Sequence, residues 1–184
     1  MFYVGITALV IALLIVGFLL YATTRPDTFR YARTATVNAT PEAIFPLIND
    51  YRNWVQWSPY EHRDPALKRT FSGASSGEGA VYSWEGNKNV GSGRMEIIDT
   101  VPQRKIVIKL DFFAPFKANN MAEFTLVPKG ATTEVTWAMF GPVPYIGKII
   151  GLVINCDKMC GNDFEAGLAS MKAVAERQTQ ANAA

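Results

Sequence analysis

Hydrophobic and polar positions change rhythm several times along this chain. Met1 to Ala22 is an almost unbroken apolar run. As a helix rising 1.5 Å per residue it reaches about 33 Å, enough to cross a hydrocarbon core of about 30 Å. Phe2, Tyr3 and Tyr21 stand at its two ends, where interfacial aromatics belong. A cleaved secretory signal is the rival, but nothing basic precedes the apolar run. The expectation is a transmembrane helix over 1–24 and a short linker over 25–28. Arg25, Arg30 and Arg33 follow directly, and the positive-inside rule then puts the remainder in the cytoplasm.

From Phe29 the rhythm is mostly of period two, the mark of a half-buried strand. Strands are predicted over 29–38, 67–72, 80–86, 90–101, 105–113, 119–128 and 132–141. The cleanest sets Ile106, Ile108, Leu110 and Phe112 against Val107, Lys109, Asp111 and Phe113. Lys129-Gly130-Ala131 joins the last two strands as a hairpin.

Helical spacing interrupts this after the first strand. Thr40 suits an N-cap and Pro41 the first helical position, and Ile44, Phe45, Leu47 and Ile48 make an apolar face. Pro46 should kink or shorten that helix. Asp50 can end it and cap a second short helix, which carries Trp54 and Trp57 on one face and closes at Pro59. Helical spacing returns from Tyr145 to about Gln178, with a break expected near Gly161. Ile146, Ile149, Ile150 and Val153 form a stripe in its apolar first part. Phe164, Leu168, Met171 and Ala175 form the inward stripe of its second. Residues 179–184 are small or polar and read as a disordered tail.

The order is strand, two short helices, six strands and a long helix: an α+β chain. Pro41-x-x-x-Phe45-x-x-Ile48-x-Asp50, followed by Trp54-x-x-Trp57-Ser58-Pro59, resembles the SRPBCC superfamily. That group includes START lipid-transfer domains, birch-pollen-allergen-like proteins and polyketide cyclase/dehydrase-like proteins. The resemblance implies a helix-grip domain over 29–178: a curved antiparallel sheet of about seven strands wrapped around the C-terminal helix, with a cavity between them. It says little about activity, since fold does not determine function.

Composition narrows the partners. The chain has 184 residues with 18 basic and 16 acidic groups, a net charge of +2, all of them after Thr24. Charge this balanced gives no electrostatic case for nucleic acid. Cys156 and Cys160 share a helical face and read as reduced thiols, with no nearby ligands for a metal. His62 is the single histidine, so a multi-histidine metal site is excluded. With Glu61, Arg63 and Asp64 it makes either an acid/base set at a cavity mouth or a solvated loop. Gly77-Glu78-Gly79 and Gly91-Ser92-Gly93 lack phosphate-loop spacing and read as turns. Asp99, Asp111 and Glu123 lie on predicted strands, where one facing inward would orient a ligand.

Trp57, Tyr82, Trp84, Phe112, Trp137, Met139, Phe164 and Met171 have two uses open to them: a plain core, or the wall of the cavity that the resemblance implies. Ile146, Ile149, Ile150 and Val153 either pack over the sheet or form a lid that touches the bilayer, Lys148 reaching headgroups. No nucleophile, metal set or cofactor motif is committed. The expectation is a membrane-anchored module that binds a hydrophobic, lipid-like or polyketide-like molecule. A cyclase or hydrolase using the same cavity, and an accessory subunit of a membrane protein complex, stay open as alternatives.

Overall fold

The computed structural model describes residues 2–183. Met1 and Ala184, at the outer ends of the predicted span and tail, lie outside the described residues. The chain opens with helix α1, Phe2–Thr23. From Tyr3 to Tyr21 every residue is exposed, although the segment is long and apolar enough to cross a membrane.

Seven antiparallel strands follow in one curved sheet: β1 (Thr28–Val37), β2 (Lys68–Gly73), β3 (Ala80–Glu85), β4 (Ser92–Val101), β5 (Lys105–Ala114), β6 (Ala118–Lys129) and β7 (Thr132–Pro142). Their spatial order is β1-β7-β6-β5-β4-β3-β2. Each successive strand from β2 to β7 is a hairpin neighbour, and β1 closes against β7. A register shift between Ile97 and Asp99 interrupts the β4–β5 ladder, a device that bends and twists a sheet.

Between β1 and β2 the chain makes helix α2 (Pro41–Asn49) and a 3-10 helix (Tyr51–Gln56). Pro46 does not end α2, which runs on to Asn49. The Asp50 side chain accepts from Arg52 N and caps the 3-10 helix, as its position predicts. The two indoles then satisfy carbonyls left over at the end of α2: Trp54 Nε1 donates to Ile48 O at 2.9 Å and Trp57 Nε1 to Leu47 O at 2.8 Å.

Helix α3 (Tyr145–Val153) and helix α4 (Cys156–Ala183) complete the chain. The break falls at Ile154–Asn155, not near Gly161. Asn155 is a cap: its Oδ1 accepts from Lys158 N. Gly161 serves another purpose. A Cβ there would lie 1.9 Å from Arg33 Nη2. The Arg33 guanidinium crosses the bare helix at that point, pairing with Asp157 and Glu165 and tying β1 to α4. Helix α4 also continues to Ala183, into the residues expected to be a loose tail.

The sheet wraps α4 as a helix grip, and its two ends differ. The far end holds the β2–β3, β4–β5 and β6–β7 turns. It is filled by Val37, Ile44, Ile48, Ile106, Ile108, Leu126, Val135, Leu168, Met171 and Ala175, none more than 2% exposed. The near end holds the start of β1, the end of β7, the β3–β4 and β5–β6 turns and the start of α4. The chain passes from α1 into the sheet here.

Candidate functional site

At the near end the core gives way to a cavity of about 250 Å³. Strand alternation supplies its floor: Tyr82 and Trp84 from β3, Met95 from β4, Leu110 and Phe112 from β5, Ala122 from β6, Trp137 and Met139 from β7. Cys160 and Phe164 reach it from α4, and Trp54, Ser58, Tyr60, Glu61 and Leu67 from the segment after α2. Phe164 stacks on Trp137 with ring centroids 4.3 Å apart, and Trp84 meets Phe112 edge to face at 5.7 Å. Helix α4 can come this close because Gly167 faces Trp137; a Cβ there would lie 2.7 Å from the ring.

Burial within the wall locates the mouth. Tyr82, Met95, Leu110, Ala122, Trp137 and Phe164 are buried, whereas Tyr60, Trp84, Val90, Phe112, Met139 and Cys160 are half-buried and Asn89 is exposed. Trp84, Asn89 and Val90 bracket the β3–β4 turn, Phe112 and Met139 lie toward the near ends of β5 and β7, and Cys160 lies in the first turns of α4. The mouth therefore opens at the end of the sheet where α1 joins.

Of the side chains singled out in the sequence, Tyr82, Trp84, Phe112, Trp137, Met139 and Phe164 meet in this wall. Trp57 and Met171 do not. Trp57 is pinned to α2 by its indole bond, and Met171 lies further along α4 in the filled end. Ile146, Ile149, Ile150 and Val153 are absent from the wall as well. Val143 N donates to Asp27 O at 2.7 Å and Tyr145 Oη to Leu19 O at 2.9 Å, which holds α3 beside the end of α1 rather than over the mouth. Lys148, expected to reach outward, pairs at 2.5 Å with Asp27, its side chain only 9% exposed.

One buried polar corner interrupts the apolar wall, at Glu61, for which the sequence left a cavity mouth and a solvated loop both open. Glu61 is 6% exposed and faces the cavity. Its Oε1 accepts from Tyr82 Oη at 2.6 Å and its Oε2 from Arg69 Nε at 2.6 Å. Burial, and then the carboxylate beside it, push the Tyr82 phenol well above its ordinary value. Arg69 is anchored further by donating to the Glu61 carbonyl at 3.0 Å. On the far side of this pair lies a shallower hollow of about 280 Å³ that also touches Tyr51, Arg52, Val55 and Phe71, so the pair acts as a partition.

The rest of the expected acid/base set is structural. His62 is exposed, Arg63 pairs with Asp163 and covers the Tyr60 ring, and Asp64 is a buried cap for Ala66 N and Asn87 N. The strand carboxylates all serve the outer face. Asp99 pairs with Lys105, and Glu123 with Arg30. Asp111 accepts from Asn119 at 2.6 Å, which with Lys109 holds its carboxyl below the usual range. Cys160, in the wall, is pushed up to about 11, chiefly by burial. Among the described residues no group of His, Cys, Asp and Glu is arranged to hold a metal.

The fold is that of a known group. The sequence model of a family described as polyketide cyclase / dehydrase and lipid transport matches residues 28–176. The chain belongs to this family. Solved structures agree on the fold. A protein of unknown function from Staphylococcus aureus has a TM-score of 0.61 at 14% identity, over 84% of this chain and 97% of its own. A protein from Thermobifida fusca has a TM-score of 0.60 at 19% identity, over 80% and 93%. The ginseng major latex-like protein 151 from Panax ginseng has a TM-score of 0.57 at 11% identity, over 80% and 97%. No curated protein matches the sequence. The family is thus an SRPBCC, START-like one, and α1 is an addition outside the matched region.

Proposed function

We propose that this protein is a membrane-anchored binding module for a small amphiphile with an apolar body and one polar group. The observation that carries it is the cavity wall itself: mostly aromatic and aliphatic, with Asn89 exposed at the mouth, Ser58 in the wall and a buried, hydrogen-bonded polar corner at Glu61–Tyr82. Small-molecule sites have this makeup, with a few polar groups that fix orientation. A ligand hydroxyl or amine would take a place beside Glu61, and its apolar body would lie against Trp84, Phe112 and Trp137. Helix α1 supports the anchor. It is long, uncharged and uncovered by the domain, and Arg25 follows it on the side assigned to the cytoplasm.

An enzyme of the cyclase or hydrolase type is the second reading, with Glu61 as its base. Both Glu61 oxygens are already engaged, by Tyr82 and by Arg69. That suits a fixed counter-ion and orienting group better than one that takes up a proton.

Native mass spectrometry of the full chain, released from detergent micelles, tests the binding reading. The expected result is a retained small molecule of apolar character, lost or strongly reduced in Met139→Trp, which fills the mouth. A molecule retained equally by both proteins, with unchanged circular dichroism, overturns the assignment of the cavity.

A further inference from the structure

Helix α3 is inside out for a helix on a soluble domain. Its inner side is Gly147, Lys148, Ile149 and Leu152, all half-buried. Its outer stripe is Ile146, Ile150 and Val153, spaced to share one face, with Ile146 62% and Val153 78% exposed. A second exposed apolar side chain stands at the same end of the sheet: Phe116, 78% exposed, at the tip of the β5–β6 turn. That turn lies between one and two strand spacings from β7, which leads into α3, or about 5–10 Å.

The position of α3 against α1 says what covers this face. Tyr145 Oη reaches the carbonyl of Leu19, four residues before the end of α1 at Thr23. Four residues of helix are about 6 Å, and amphipathic helices lying in a membrane interface bury their apolar face by about 5–10 Å. The start of α3 is thus held at interfacial depth by the span itself.

Charge agrees. Among the described residues, the basic side chains with no carboxylate partner are Arg25, Lys88, Lys117 and Lys158 at the near end, against Arg104 and Arg177 elsewhere. The exposed carboxylates without an ion pair, Glu42 and Glu78, lie at the far end. At the far end the free cations Arg104 and Arg177 are offset by the free carboxylates Glu42 and Glu78, whereas the near end's exposed unpaired charges are all cations, so an anionic surface is drawn to the near end.

We infer that the outer stripe of α3 and the β5–β6 turn at Phe116 form a second membrane contact, seated in an anionic bilayer surface, which turns the cavity mouth toward the lipid. The inference rests on the anchored reading of α1 and adds to it an orientation: the apolar ligand enters and leaves through the interface without crossing open water.

Site-directed fluorescence in vesicles tests it. The full chain, with Cys156→Ser and Cys160→Ser, is reconstituted in phosphatidylcholine–phosphatidylglycerol vesicles containing chain-brominated lipid. Single labels are placed by Phe116→Cys, Val153→Cys, Leu13→Cys within α1 and Gln103→Cys at the far end. The expected result is bromine quenching at positions 116 and 153 at least about threefold above that at 103, with position 13 quenched as well. Quenching at 116 and 153 no greater than at 103, with 13 quenched, overturns the second contact and leaves the anchor. Blue-shifted but unquenched labels at 116 and 153 mean that protein, a partner or a second copy, covers the face, and overturn it too. Strong quenching at 116 and 153 with none at 13 upholds the contact and overturns the anchor.

Discussion

The two ends of the grip are built from the same strands with the same alternation, yet one is a solid core and the other a cavity. At the far end α2, the 3-10 helix and the second half of α4 press onto the sheet. Side chains such as Ile108 and Met171 are sealed on all sides. At the near end the first turns of α4 face the same sheet across a gap. Helix α3 does not close the gap and is held instead against α1. Alternation decides which residues point inward. What covers them decides whether they become core or wall.

The largest test of that contrast is truncation. Ile108→Ala at the sealed end should cost about 2–5 kcal/mol in denaturant unfolding, because the vacated volume cannot be refilled. Met139→Ala at the mouth should cost below about 1.5 kcal/mol, since it borders space that is already open. Equal losses at both positions would erase the distinction between the ends.

An intermediate effect is expected where helix and wall touch. Gly167→Ala puts a methyl group into the Trp137 ring and should cost about 1–3 kcal/mol by overpacking. It should also push the ring toward the cavity and weaken uptake of a hydrophobic dye. Destabilisation without any change in dye binding would show that Trp137 is wall in position only.

The smallest effect concerns Cys160. Burial raises its thiol to about 11 from an ordinary 9.0, so at mildly alkaline pH its thiolate is scarcer than that of an unfolded thiol by on the order of a hundredfold. Alkylation should be correspondingly slow and should accelerate as pH approaches 11. The sign for stability follows: the contribution is present below the ordinary thiol value and is lost as pH rises through the raised one. Mass-spectrometric alkylation rates check this, and a rate like that of a free thiol would place Cys160 in solvent.

Most of the fold was legible in the sequence because strand alternation and the Thr40–Pro59 pattern are local signals. Ile106, Ile108, Leu110 and Phe112 do face inward together, and Trp54 and Trp57 do share a face. Glu61 was not legible. Its neighbours His62, Arg63 and Asp64 make the segment look like a solvated loop, and its burial depends on Arg69 and Tyr82 from other strands. The helix break was readable in principle from Asn155, a good cap residue, but Gly161 carried the stronger local signal. Its real role depends on Arg33, more than a hundred residues away in sequence.

The connection between α1 and β1 has a further consequence. Only Thr24 to Asp27 separate the two elements, and Asp27 is held by both Val143 N and Lys148. Four residues extend to roughly 14 Å at most. On the anchored reading the domain is therefore a fixture rather than a shuttle. It samples a thin shell above one patch of one leaflet, and its working concentration toward that patch is set by the tether and not by expression level. A cargo taken up here is handed to the same bilayer, or to a neighbour standing in it, and travels no further than the protein itself drifts within the plane.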